Sequence, residues 1–153
     1  MKPKILHSYL TDDELLRISN RINTVEKTTS GEIAVSIREY KSLFERRKAL
    51  RELAEKEFLK LGINKTKEGT GVLIFLLLST RKFYILADDN INKLTGEKIW
   101  TEIKDVIQEK FVRGEFCKGI LFGIDEIGKI LSKHFPIKPD DRNEISNKVV
   151  LGK

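Results

Sequence analysis

Three consecutive residues, Asp88, Asp89 and Asn90, place oxygen donors at one point of the chain. They close the stretch GTGVLIFLLLSTRKFYILADD, Gly69 to Asp89, and leave it together. Carboxylate and amide oxygens are what a hard cation such as Ca²⁺ or Mg²⁺ takes. Strand exits are where ligands collect in open sheets of mixed or parallel type. Glu32, at the start of an earlier strand, and Asp125, one position off the apolar stripe of a late helix, are further candidate ligands. Asp140, Asp141, Asn143 and Glu144 form another oxygen-rich set. The twelve-residue calcium loop, with its ligand spacing and central glycine, is missing. A plainer reading has Asp88 and Asp89 cap the turn and the helical segment after it. It has Asp125 pair with Lys129 at i,i+4 and the tail acids stay solvated.

Other chemistries find less support. No nucleophile-and-base arrangement is visible. His7 and His134 lie in the two end segments, and His134 suits the negative end of a helix dipole. Cys117 has no base beside it and reads as a packed thiol. Gly69-Thr-Gly71 precedes a strand, whereas a phosphate-cradling loop follows a strand and opens a helix.

The elements that must position the acids follow from periodicity. Val72 to Leu78 is an unbroken apolar run of the length of a doubly buried strand. Ser79-Thr-Arg81 interrupts it, and Lys82 to Ala87 resumes an aromatic and β-branched pattern, so the two runs predict a hairpin. Thr11-Asp-Asp-Glu14 is a capping box before Leu15, Ile18, Ile22 and Val25, which predicts a helix from Asp12 to about Lys27. Ile33, Val35 and Ile37 alternate with Glu32, Ala34 and Ser36 as in a strand. Ser42-Leu-Phe-Glu45 predicts the cap of a second helix carrying Leu50, Ala54, Phe58 and Leu61, with Gly62 as its stop. After a short turn through Ile91 and Leu94, Thr95 is expected to cap a third helix, with Ile99, Ile103, Val106 and Ile107 inward. A fourth helix runs from about Phe116 to Lys133, with Gly119, Gly123 and Gly128 expected to bring its backbone close to the sheet. The residues 1–136 read as one domain, and 137–153 as a tail that is packed or frayed, with Val149 to Leu151 a candidate extra strand. A parallel crossover beside an antiparallel hairpin gives a mixed sheet.

Composition sets the outer bounds. The chain has 153 residues, 40% hydrophobic and 34% charged, which describes one folded domain with ample core. Its net charge of +6 is interleaved with 23 acids. The densest basic cluster, Arg46, Arg47, Lys48 and Arg51, is followed by Glu52, Glu55 and Glu57, a solvated face more than a phosphate track, which speaks against nucleic acid. One cysteine excludes an intramolecular disulfide and a cysteine-built metal site. The sequence carries no signal-peptide core and no apolar run of membrane-spanning length, so the expectation is a cytoplasmic protein.

Together, TTSGEIAVSI (Thr28 to Ile37), the Gly69–Asp89 stretch and FVRGEFCKGILFGIDEIGKILSKHFP (Phe111 to Pro136) resemble the TPM domain. That family includes a thylakoid-lumen protein of photosystem repair, a membrane-anchored modulator of acetylcholine receptors and many bacterial proteins. The resemblance runs from about Thr11 to Pro136, and the tail is similar to that of stand-alone bacterial members. It implies an α/β sandwich: a mixed sheet of three to four strands flanked on both faces by about four helices. It also implies a divalent-metal site, since calcium binding is attributed to members. The plant member is described as an acid phosphatase. Asp125 matches an acid common in the family's last helix. Many members carry a Gly-Tyr-Gly-Leu turn after the second hairpin strand, where this chain has Asp88-Asp-Asn-Ile91. Many also carry an acid shortly before the third helix, where this chain has Thr95-Gly96, so no catalytic residue is carried over.

The expected function is a stand-alone TPM domain that binds a divalent cation, Ca²⁺ with Mg²⁺ as the alternative, through Asp88, Asp89, Asp125 and Glu32. It would act as a regulatory or interaction module with an acidic or membrane-associated protein partner. The alternatives are a metal-dependent acid phosphatase and a metal-free interaction domain.

Overall fold

The computed structural model describes residues 5–66, 69–137 and 149–152. Its centre is a strand with nothing polar in it. β2, Gly71–Leu77, is buried at every position. On one side β1, Glu32–Arg38, runs parallel to it, from Glu32 opposite Gly71 to Arg38 opposite Leu77. On the other side β3, Lys82–Ala87, runs antiparallel, with Val72 opposite Ala87. The turn between β2 and β3 is a short 3₁₀ segment, Leu78–Thr80, closed by Arg81. β4, Val149–Gly152, pairs parallel with β1, so the sheet order is β3-β2-β1-β4 and the sheet is mixed. The candidate strand at the chain's end is therefore part of the sheet.

Alternation along the strands sends side chains into two separate cores. Ile33, Val35, Ile37, Val72, Ile74 and Leu76 face the larger one. It is completed by α1, Asp12–Glu26, by α4, Lys98–Val112, and by α5, Phe116–His134. Ala34, Leu73, Phe75 and Leu77 face the smaller one, against Leu53, Ala54 and Phe58 of α2, Leu50–Lys60. Helices thus cover both faces. No helix among the described residues is long and apolar enough to cross a membrane.

Three boundaries differ from expectation. The Ser42 capping box forms, but it caps a 3₁₀ turn, Leu43–Glu45, and α2 begins only at Leu50. The residues after Asp88 are helical: α3 spans Asp89–Thr95. Thr95 ends α3 instead of capping α4, donating to the Ile91 carbonyl and accepting from Trp100 Nε1. The glycines of α5 mostly admit helices, not the sheet. A Cβ on Gly119 would lie 2.7 Å from Phe111 of α4, and one on Gly128 would lie 2.4 Å from Val25 of α1. Gly123 alone also meets β2, at Ile74, besides Ile107 of α4.

Candidate functional site

The antiparallel turn of the hairpin decides where Asp88 lies. Because β3 reverses direction, its exit is beside the entrances of β1 and β2. The Asp88 N–H donates to the Gly71 carbonyl at 3.0 Å, and the Glu32 N–H donates to the Thr70 carbonyl at 3.1 Å. Glu32, Gly71 and Asp88 therefore stand in one row across three strands. This is the amino end of the parallel strands, so the crevice rule, which concerns carboxyl ends, does not apply to it.

Asp88 occupies the N-cap position of α3, and its carbonyl accepts from the Ile91 and Asn92 N–H groups. Its side chain makes no cap hydrogen bond to that helix. The carboxylate is half-buried, and its Oδ2 is shielded from solvent with no hydrogen-bond partner among the described residues. Burial raises its pKa above the ordinary carboxylate value, against the opposing pull of the Gly71 and Asp89 N–H groups. Capping alone therefore does not account for this side chain. Asp89 is exposed at the first position of α3, and Asn90 is exposed beside it.

Gly69 forms the wall facing this turn. Its φ of +63° is left-handed, and a Cβ there would lie 2.7 Å from Asn90 Nδ2 and 3.9 Å from Asp88 Cγ. The Gly-Thr-Gly pair thus brings backbone against the acidic turn, a role its position before a strand left unread.

The other candidates divide. Glu32 is buried at the same end of the sheet. Asp125 is elsewhere: its Oδ2 accepts from Arg21 of α1 at 2.5 Å, in the seam between α1 and α5. The anticipated Asp125–Lys129 pair is replaced by Glu126–Lys129 at 2.8 Å, one residue closer in sequence. Asp140, Asp141, Asn143 and Glu144 lie outside the described residues. Glu26 was not anticipated. It ends α1, where an acid opposes the helix dipole, and its Oε2 accepts from the Ile33 N–H at 2.9 Å as β1 begins. That unfavourable placement was the signal to look there. Among the described residues, no three of His, Cys, Asp and Glu converge closely enough to hold a metal ion. A cation at the turn would therefore take Asp88 and Asp89, and complete its shell from amide, backbone and water oxygens, as hard cations do.

Cys117 is buried in the α1–α5 seam, 4.0 Å from the Glu14 carbonyl, and burial raises its pKa, so it is a packed thiol.

The same architecture occurs in solved structures. The BA42 protein from the psychrophilic bacterium Bizionia argentinensis superposes with a TM-score of 0.84 at 32% identity, covering 96% of this chain and 98% of that one. The N-terminal domain of a protein from P. gingivalis gives 0.67 at 17% identity over 85% of this chain and 81% of that one. An N-terminal domain from Corynebacterium glutamicum gives 0.61 at 10% identity over 91% and 87%, a likeness of fold alone. No curated protein matches. The family model described as the TPM domain matches residues 6–130, and the chain belongs to that family.

Proposed function

We propose that the domain is a cation-dependent interaction module that takes Ca²⁺, or Mg²⁺ in its place, at the Asp88–Asn90 turn. The observation that carries the reading is the Asp88 Oδ2, shielded and without a hydrogen-bond partner among the described residues, at an acidic strand exit. A shielded carboxylate oxygen without a partner is unfavourable, and a divalent ion supplies what it lacks. Gly69 supports the reading, because its missing side chain lets the Asn90 amide and the Asp88 carboxylate close up against the same backbone. Asp89 supplies the second charge. With two carboxylates the site is weak and responsive, which suits a module that docks a partner when the ion is abundant. Glu32 lies buried at the same end of the sheet, and Asp125 in the α1–α5 seam. Hydrolysis of a phosphoester would use the ion to polarise a phosphoryl oxygen, and it ranks second because no nucleophile or general base stands beside Asp88 among the described residues.

A thermal melt of metal-stripped protein, with and without millimolar Ca²⁺, tests this. Occupancy at a hundredfold excess over the dissociation constant stabilises by about 2.7 kcal/mol, a clear upward shift in Tm. Asp88→Asn with Asp89→Asn should abolish the shift. A shift that survives in the double variant moves the site elsewhere, and no shift with Ca²⁺ or Mg²⁺ sinks the module.

A further inference from the structure

At the opposite end of the hairpin lies a cleft with an aromatic floor and a basic rim. Tyr9, Phe83, Phe111 and Phe116 form the floor of a cleft of about 840 Å³ beside the β2–β3 turn. The rings are locked together: Tyr9 meets Phe116 edge-on at 4.7 Å, Phe116 lies 4.9 Å from Phe111, and Phe111 lies 5.2 Å from Phe83. Arg81 and Lys82 stand on the rim, and no acid lines the cleft among the described residues. The nearby acids are engaged elsewhere. Glu39 accepts from the Ile5 and Leu6 N–H groups, Glu109 pairs with Arg113, and Glu115 pairs with Lys118.

Arg81 is held for use. Its Nε donates to the Tyr9 hydroxyl at 3.0 Å, and its guanidinium lies 5.9 Å from the centre of that ring. Anchored through Nε, the remaining edge of the fork can take a carboxylate in a bidentate fashion. The backbone works against this residue choice: Arg81 has φ 55°, the only left-handed non-glycine among the described residues. A glycine would sit there without steric conflict, so the turn gains nothing from arginine and the side chain must.

We propose that this cleft binds a small aromatic carboxylate, its ring on the Tyr9–Phe116–Phe111 floor and its carboxylate on Arg81 with Lys82 alongside. The planar fork of Arg81 matches one carboxylate, and the volume falls within the range of small-ligand sites. The site lies at the far end of β3 from Asp88 and is independent of the cation reading.

The probe is 2-naphthoate, followed by amide NMR shifts and calorimetry in the presence of a chelator. Acetate and 2-naphthylmethanol separate charge from ring. The expected result is binding of 2-naphthoate with shifts at Tyr9, Arg81 and Lys82, and binding of each half-probe weaker by about tenfold or more. Arg81→Gly should weaken 2-naphthoate by about tenfold or more while Tm stays level or rises, since glycine relieves the left-handed backbone. The variant at Asp88 and Asp89 should bind 2-naphthoate unchanged. No binding, binding of 2-naphthylmethanol as tight as 2-naphthoate, or undiminished binding by folded Arg81→Gly would overturn the proposal.

Discussion

A buried carboxylate and a half-buried one stand at opposite ends of this sheet and have opposite fates. Glu45 meets Arg38 at the carboxyl end of β1, with a second contact from Arg38 Nη1 at 3.1 Å and the Ser42 N–H at 2.9 Å. The guanidinium holds the Glu45 pKa down at about 2. Asp88, at the amino end, has no cation within reach among the described residues, and burial pushes its pKa the other way. Among the described residues, the acid that shapes a loop is thus neutralised and the one at the turn is not. The neighbours follow suit. Glu57 accepts from Ser36, and Glu39 holds the Ile5–Leu6 backbone, so the Glu45 end is internally matched. The difference separates a charge matched by an ion pair from one whose Oδ2 has no hydrogen-bond partner among the described residues.

Breaking the matched end should have the largest effect. Arg38→Met leaves Glu45 buried and uncompensated, and urea unfolding at neutral pH should register a loss of about 3–5 kcal/mol. A loss below about 1 kcal/mol would place that pair among inert surface contacts. Acid sharpens the same contrast. The Glu45 pKa is lowered from 4.5 to about 2, so its contribution is complete above the unfolded value and lost as pH falls through the folded one. That loss amounts to about 3 kcal/mol and should be much smaller in Arg38→Met, where only the Ser42 hydrogen bonds still favour the carboxylate. Asp88 has the opposite sign. Its raised pKa means the folded state holds the proton longer, so this group favours the fold as pH falls through the elevated range. The smallest effect belongs to Asp125→Asn. Its pair with Arg21 is about 40% exposed on both sides and should contribute no more than about 1 kcal/mol. The Ca²⁺-induced rise in Tm should remain intact in this variant, and its disappearance would reunite Asp125 with the turn.

What the sequence disclosed, it disclosed through period. Val72 to Leu78 and the alternation of Ile33, Val35 and Ile37 are backbone patterns with one solution, and β2 and β1 follow from them. The Thr11 capping box formed with both of its hydrogen bonds, at 3.0 and 3.1 Å. What stayed hidden depended on direction and distance. Nothing local in Asp88-Asp-Asn90 tells that β3 exits at the amino ends of its neighbours, because that follows from strand pairing between distant segments. Asp125 lay one position off its stripe, and only the packing of α1 on α5 reveals that Arg21 takes it. The Ser42 box was sound as a cap but closed a 3₁₀ turn, since one turn of chain offers the same hydrogen bonds whether or not a helix continues. Gly69 and Arg81 carry their meaning in left-handed backbone, which residue type suggests for the glycine and conceals for the arginine.

The most direct test of the cation reading is the titration of the Asp88 side-chain carboxyl by ¹³C NMR, in metal-stripped protein and again with saturating Ca²⁺. The account predicts a pKa above the ordinary aspartate value without the ion and a clear fall when it is added. A titration midpoint that Ca²⁺ leaves in place would contradict it and return Asp88 to the role of a helix cap.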